Sequence, residues 1–214
     1  MNMRNYSFFD RLLMEIDQSL RTVHGRPAVT ERPNPADNVP DAELNDSERD
    51  LTGRLMRINH AGEVSAQGLY QGQALTAKRE DVRREMHRSA LEENDHLAWC
   101  EQRINELGSH KSYLGPFWYW GSFAIGAFAG AIGDKWSLGF VTETERQVIR
   151  HLDGHLAEIA PQDQRSRVIL EQMKEDEAHH AHKALEAGGA ELPAPVKGAM
   201  KLISKVMTRS VYWV

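Results

Sequence analysis

Glu-x-x-His occurs in this chain as Glu93-Asn94-Asp95-His96 and again as Glu177-Ala178-His179-His180, and each copy has a glutamate some thirty residues upstream, Glu63 and Glu145. The spacing constrains the fold more than any other feature. Glu63 and Glu93 are thirty apart, with their midpoint at Lys78 in the polar run Lys78-Arg79-Glu80-Asp81. Glu145 and Glu177 are thirty-two apart, with their midpoint at Pro161 in Ala160-Pro161-Gln162-Asp163, a helix-start pattern after a break. Two antiparallel helices joined at a midpoint bring residues equidistant from the turn to one height. Glu63 is therefore expected opposite Glu93 and His96, and Glu145 opposite Glu177 and His180. Within each Glu-x-x-His the i,i+3 offset puts both side chains on one helix face. One site at mid-height, fed by four helices, follows.

Four carboxylates and two imidazoles in two equivalent halves are what a carboxylate-bridged di-iron centre in a four-helix bundle requires. Iron takes carboxylate oxygen and imidazole nitrogen, and two ions held close together need bridging ligands. Glu93 and Glu177 are the expected bridges. Glu63 and His96 would complete one ion, Glu145 and His180 the other. Four carboxylates against two ferrous ions leave a neutral core, whereas the bare cluster repels itself unless protonated. The sequence leaves three register choices. Asp176 with His179 competes with Glu177 and His180 but points about 100° away; Glu143 competes with Glu145; Glu92 competes with Glu93 but has no histidine at i+3.

The fold class expected is all-α, a ferritin-like four-helix bundle. Its helices fall at about 48–78, 80–107, 134–158 and 161–187, with Asp46 or Ser47 capping the first and Gly188-Gly189 stopping the last. The bundle domain then covers 48–190. Residues 1–47 form an extension: an amphipathic helix over 5–23, with Phe9, Leu12, Leu13, Ile16, Leu20 and Val23 at helical spacing, and a linker over 24–47 with four prolines. From Ser112 to Gly133 there is no charged side chain. Pro116 and five glycines weaken that stretch as a transmembrane helix, and the bundle needs a long crossover between its second and third helices. Ser122, Gly126 and Gly130 make a row of small residues along it. Residues 191–214 form an amphipathic tail in which Lys197, Lys201, Lys205 and Arg209 recur every four residues beside an apolar face. Tyr212-Trp213-Val214 follows, a pattern suited to an anionic bilayer surface.

Net charge is −5, with residues 193–214 at +4, so no nucleic-acid footprint is present. A single cysteine, Cys100, and a start without a long apolar run indicate a reducing compartment and no secretory signal. His60-Ala61-Gly62-Glu63, Ala66 and Gly68 supply small residues where helices approach to share metals. His151 could hydrogen-bond a ligand carboxylate; Tyr70, two turns beyond Glu63 on the same face, could line a substrate pocket, but is rather expected to pack in the core with its hydroxyl satisfied. Trp99 and Cys100 are expected to pack, and His155, His179 and His182 to lie on the surface. There is no P-loop, no Gly-x-Ser-x-Gly and no dinucleotide fingerprint, so reducing electrons must come from outside the chain.

Over residues 48–190 the chain resembles the bacterial Coq7-type demethoxyubiquinone hydroxylases of the ferritin-like superfamily. The resemblance is carried by His60-Ala61-Gly62-Glu63, Glu93-x-x-His96, Glu145, Glu177-x-x-His180 and the apolar crossover, with His151 also in a family-like place. Leu152 stands where some members carry tyrosine. The resemblance implies an O2-dependent monooxygenase that hydroxylates the ring of a polyprenyl demethoxyquinol in ubiquinone biosynthesis. One oxygen atom goes to the ring and the other leaves as water. Two iron ions and an external reductant, NADH or an equivalent, are implied. So are a place at the cytoplasmic face of the inner membrane as a peripheral protein, and association with other ubiquinone-biosynthesis enzymes. The alternatives are a di-iron oxidase or hydroxylase of another substrate, an iron-storage protein, and a metal-free protein that binds quinone lipid. The apolar crossover and tail argue against storage.

Overall fold

A computed structural model describes residues 31–214 and, ahead of them, positions 9, 10, 13, 17, 19–22 and 25. Among the described residues all regular structure is helical: α1 (Asp46–Thr76), α2 (Glu80–Glu106), α3 (Gly115–Ile132), α4 (Asp134–Glu158), α5 (Gln164–Glu186) and α6 (Ala194–Trp213). Of the N-terminal stripe, Phe9, Leu13 and Leu20 are helical and exposed; Leu12, Ile16 and Val23 lie outside the described residues.

The four long helices α1, α2, α4 and α5 form the bundle in two antiparallel pairs, α1 with α2 and α4 with α5. Local sequence sets their ends. α1 starts at a capping box: the Asn45 side chain accepts from Glu48 N, and the Glu48 carboxylate accepts from Asn45 N. The cap is thus Asn45, not Asp46 or Ser47. Asp46 sits in the first turn, where its charge favours the helix N-terminus. The start of α5 also falls later than Pro161, because Asp163 caps it by accepting from Ser166 N. Asp134, first residue of α4, accepts from Lys78 N and Arg79 N and so ties the α1–α2 turn to the other pair.

Between α2 and α4 the crossover is itself a helix. Its 18 residues span about 27 Å at 1.5 Å per residue, enough to carry the chain back along the bundle. Gly133, at φ 147°, makes the turn into α4. α3 lies against α1 at backbone contact. A Cβ at Gly72 would stand 2.7 Å from Ala127 N, and one at Gly126 would stand 3.0 Å from the Leu69 carbonyl carbon. The row Ser122, Gly126, Gly130 therefore has its counterpart in Gly68 and Gly72. This corrects the reading of Gly68: it admits the crossover helix, not a helix that shares metals. The outer face of α3 stays exposed at Phe117, Trp120, Phe128 and Ile132. Even so, no described helix is long and apolar enough to cross a membrane.

Among the described residues, the two largest apolar clusters form layers within the bundle. One joins Leu55, Met56, Trp99, Cys100, Leu152, Ile169 and Met173, and takes in Ala36 and Leu44 from the Pro-rich segment. The other joins Tyr70, Ala74, Val82, Met86, Leu138, Val141 and Ala184. On every bundle helix the gap between these layers holds the residues singled out above: 63, 93 and 96, 145, 177 and 180. The polar cluster is sealed above and below by hydrocarbon.

Candidate metal centre

All six residues are buried: Glu63, Glu93, His96, Glu145, Glu177 and His180 are each 3% exposed or less. The two Glu-x-x-His units face each other. His96 Nδ1 lies 2.8 Å from Glu93 Oε2 and 3.3 Å from Glu177 Oε1. His180 Nδ1 lies 3.2 Å from Glu93 Oε1 and 3.3 Å from Glu177 Oε2. Glu93 and Glu177 thus each reach both imidazoles, one oxygen apiece, which is the geometry bridging demands. Glu63 approaches His96 Nδ1 at 4.0 Å. One ligand atom from each of Glu63, Glu93, His96 and Glu177 falls within 4.8 Å of all the others. Glu145 sits at the other half, where it accepts from the Tyr70 hydroxyl. Glu143 is also buried, but it is turned away to Gln147 and Arg150.

The outer ring nitrogens have partners of their own. His96 Nε2 lies 2.8 Å from Asp176 Oδ2, and His180 Nε2 lies 2.7 Å from Glu92 Oε2. An Nε2–H donated to a carboxylate leaves Nδ1 as a lone pair aimed inward, the usual way to fix a metal-binding imidazole. Asp176 and Glu92 are therefore placed to orient the two imidazoles rather than to replace Glu177 and Glu93 in the centre. Each braces the histidine of the opposite half. The signal was present in the sequence: in both copies an acid directly precedes the glutamate, Glu92-Glu93 and Asp176-Glu177.

The electrostatics of the bare cluster are those of a site built for cations. Burial, with Glu93 and Glu177 alongside, pushes Glu63 well above the ordinary carboxylate range, and burial with Glu177 and Glu93 does the same to Glu145. Burial would also raise Glu93, but the charges and hydrogen bonds of His96 and His180 outweigh it and hold Glu93 below that range. Both imidazoles are driven up by these carboxylates against the opposing effect of burial. The His180 hydrogen bond brings Glu92 down to about 2. Protons and metal ions compete for these same carboxylate and imidazole atoms. Glu93 Oε1 is sealed from solvent without a well-directed hydrogen bond among the described residues. The donor set, two imidazoles and four carboxylates sealed from solvent, fits two iron ions.

A cavity of about 290 Å³ reaches this centre from the side, bounded by α1, α3, α4 and α6. Of the six residues only Glu63 lines it, next to Gly62. A Cβ at Gly62 would meet nothing within 4 Å, so this glycine widens the cavity instead of easing a helix contact. The other walls are mostly apolar, including Leu69, Trp118, Ile125, Phe140 and Met207. His151 lines the cavity as well. It makes no bond to the carboxylates; its ring stacks edge-on against His155, and its buried Nε2 has no hydrogen-bond partner among the described residues. Tyr70 packs in the core as expected, with its hydroxyl spent on Glu145. Cys100 and Trp99 are buried, and burial pushes the Cys100 thiol up, which keeps it inert.

His155 corrects the surface expectation. It is 4% exposed and its Nδ1 lies 2.8 Å from Asn59 Oδ1, because α4 turns that face onto α1; His179 and His182 are exposed. Burial lowers both His155 and His60 to about 3, with His151 and Lys111 adding to the respective shifts. Each histidine is neutral in the fold and takes a proton near pH 6.5 once unfolded, so its contribution is complete above 6.5 and is lost as pH falls toward 3. Between pH 7 and 5 the loss is about 2 kcal/mol for each. Urea unfolding of a His60→Gln/His155→Gln variant should therefore show a flatter acid dependence than wild type over that interval. Parallel curves would contradict this.

The chain matches known proteins along most of its length. The family model described as ubiquinone biosynthesis protein COQ7 matches residues 50–211. A protein of Nitrosococcus oceani, named 3-demethoxyubiquinol 3-hydroxylase, is 60% identical over 211 residues, covering 99% of each chain. Proteins of the same name from Nitrosospira multiformis and Acinetobacter baumannii are each 56% identical, over 96% and 99% of this chain and 98% and 100% of their own.

Proposed function

The chain belongs to the COQ7 family of ubiquinone-biosynthesis proteins, and we propose that it hydroxylates the ring of a polyprenyl demethoxyquinol at two iron ions held by Glu63, Glu93, His96, Glu145, Glu177 and His180. The observation that carries this reading is the pair Glu93 and Glu177, each spanning both imidazoles at the inner end of an apolar cavity. When bound, the iron pair supplies the redox chemistry that lets O2 react with the ring.

The chain's own residues do the rest. Glu93 and Glu177 hold the two halves together. Asp176 and Glu92 fix the imidazole tautomers, and Tyr70 ties down one oxygen of Glu145. The apolar layers on either side keep water out, which strengthens every charge interaction inside. The ring enters beside Gly62 and Glu63. His151, kept neutral by burial, lines the cavity wall beside the entering ring. The prenyl tail leaves past Trp118 and Ile125 of α3 and Ile203 and Met207 of α6.

The same two helices suit the protein to a membrane surface. α6 packs on α1 through Met207, Val211 and Tyr212 and leaves Leu202, Val206 and Trp213 exposed beside Lys201, Lys205 and Arg209. Apolar groups flanked by cations bind anionic lipid headgroups. The cavity mouth then opens where a polyprenyl quinol resides, on the cytoplasmic face of the inner membrane. Electrons come from NADH or an equivalent donor outside the chain, and other ubiquinone-biosynthesis enzymes are the expected neighbours. The test is a quinone profile by mass spectrometry. Cells lacking the protein should accumulate the precursor that lacks one methoxy group, and restoring the wild-type chain should clear it. An unchanged profile would remove the substrate from this account.

A further inference from the structure

We propose that Glu31 and Arg32, adjacent residues in the Pro-rich segment ahead of the bundle, are positioning residues for the two halves of the metal centre; this rests on the metal reading above. Arg32 grips Asp176 with both guanidinium arms, at 2.9 and 2.8 Å, and Asp176 holds His96 Nε2 at 2.8 Å. Glu31 accepts from both arms of Arg88, at 2.9 and 2.6 Å; Arg88 donates to Glu92 at 2.9 Å, and Glu92 holds His180 Nε2 at 2.7 Å. Two neighbouring side chains thus reach both imidazoles, Arg32 through Asp176 and Glu31 through Arg88 and Glu92.

The strap is anchored independently of those carboxylates. Asp95, 1% exposed, accepts from Glu31 N at 2.7 Å and Arg32 Nε at 2.9 Å. The Arg32 guanidinium also lies 5.0 Å over Trp99, whose ring is 5.4 Å from His96. A carboxylate can fix an imidazole only while it is itself fixed. Asp176 is partly open to water, and without Arg32 its side-chain partners would be only Gln172 and the imidazole it has to hold, so its carboxylate could rotate. A planar two-pronged donor prevents that rotation in a way a point charge does not. The arms are unequal. Arg32 is itself 37% exposed, but its partners Asp95 and Asp176 are 1% and 16% exposed, whereas Arg88 and Glu31 are both more than a third exposed, and an exposed pair is worth little. The Arg32 arm should therefore matter more than the Glu31 arm.

The test titrates the full-length, metal-free protein with Co(II) and follows the visible ligand-field bands, alongside thermal unfolding of the metal-free form. Wild type should take up two ions. Arg32→Met should weaken one of them about tenfold and alter its band, since bracing groups around metal-bound histidine are typically worth 10- to 100-fold in affinity. Arg32→Lys should fall between Arg32→Met and wild type. Glu31→Gln should weaken the other ion by about threefold, below that range because its arm is solvent-exposed. Arg79→Met, on the exposed pair with Asp81 in the turn between α1 and α2, should leave both ions as in wild type. The strap is overturned if Arg32→Met binds both ions as wild type does, or if both ions weaken equally in step with a lower unfolding midpoint. Wild-type protein that takes up no Co(II) would instead overturn the metal reading beneath it.

Discussion

Glu177→Gln is expected to lower quinol hydroxylation by about 10³-fold or more, roughly 4 kcal/mol in the barrier. The substitution keeps the volume of the side chain and removes its charge. Glu177 stands 3.3 Å from each imidazole nitrogen that faces the centre, so one change weakens the binding of both ions. Glu93→Gln should behave alike, being the mirror-related residue. Glu143→Gln is the control. Glu143 is also a buried glutamate on α4, but its partners are Gln147 and Arg150 and it lies outside the cluster. It should retain most activity. The measurement is product formed per minute with a short-chain demethoxyquinol. Comparable losses in Glu177→Gln and Glu143→Gln would mean that the centre has been assigned to the wrong carboxylates.

Gly72→Ala is expected to destabilise the fold by about 3 kcal/mol or more, the upper range for overpacking. In an ordinary helix interior the same change stabilises by roughly 0.5–1 kcal/mol. The sign reverses because the new Cβ would stand 2.7 Å from Ala127 N and closer still to Phe123 O. Both are backbone atoms of α3, which cannot step aside without leaving α1. Gly62→Ala on the same helix is the control, since its Cβ meets nothing within 4 Å and should stabilise. Urea midpoints for the two variants should move in opposite directions. Activity should fall with Gly72→Ala as well, because α3 forms one wall of the cavity. A stabilised Gly72→Ala protein would show that α3 is not packed on α1 at this distance.

What the sequence made legible was whatever repeats or obeys a local period. The mirrored spacing of glutamates and Glu-x-x-His units located four helices to within a few residues and predicted which six side chains would meet. The charge-free stretch between the pairs announced a crossover for the same reason: only a long connection lets α2 and α4 run parallel. Contacts between segments remote in sequence left no such trace. His155 reads as a surface residue until α1 is laid across it and Asn59 accepts its hydrogen bond. Arg32 reads as one more polar residue in a linker until Asp95 and Asp176, 63 and 144 positions away, are brought to it. Gly68 was rightly read as a close approach, but the sequence could not say which helix approaches. Glu92 and Asp176 were visible as rivals to their neighbours. Only the folded arrangement turns the rivalry into a division of labour, one acid facing inward and the other behind the opposite imidazole.

The most direct measurement is the iron content of the purified wild-type chain after anaerobic loading with ferrous ion and removal of excess, read beside Glu177→Gln. The account predicts two iron ions per wild-type chain and fewer than one in the variant. A wild-type chain that hydroxylates its quinol with one ion bound, or with none, would contradict it.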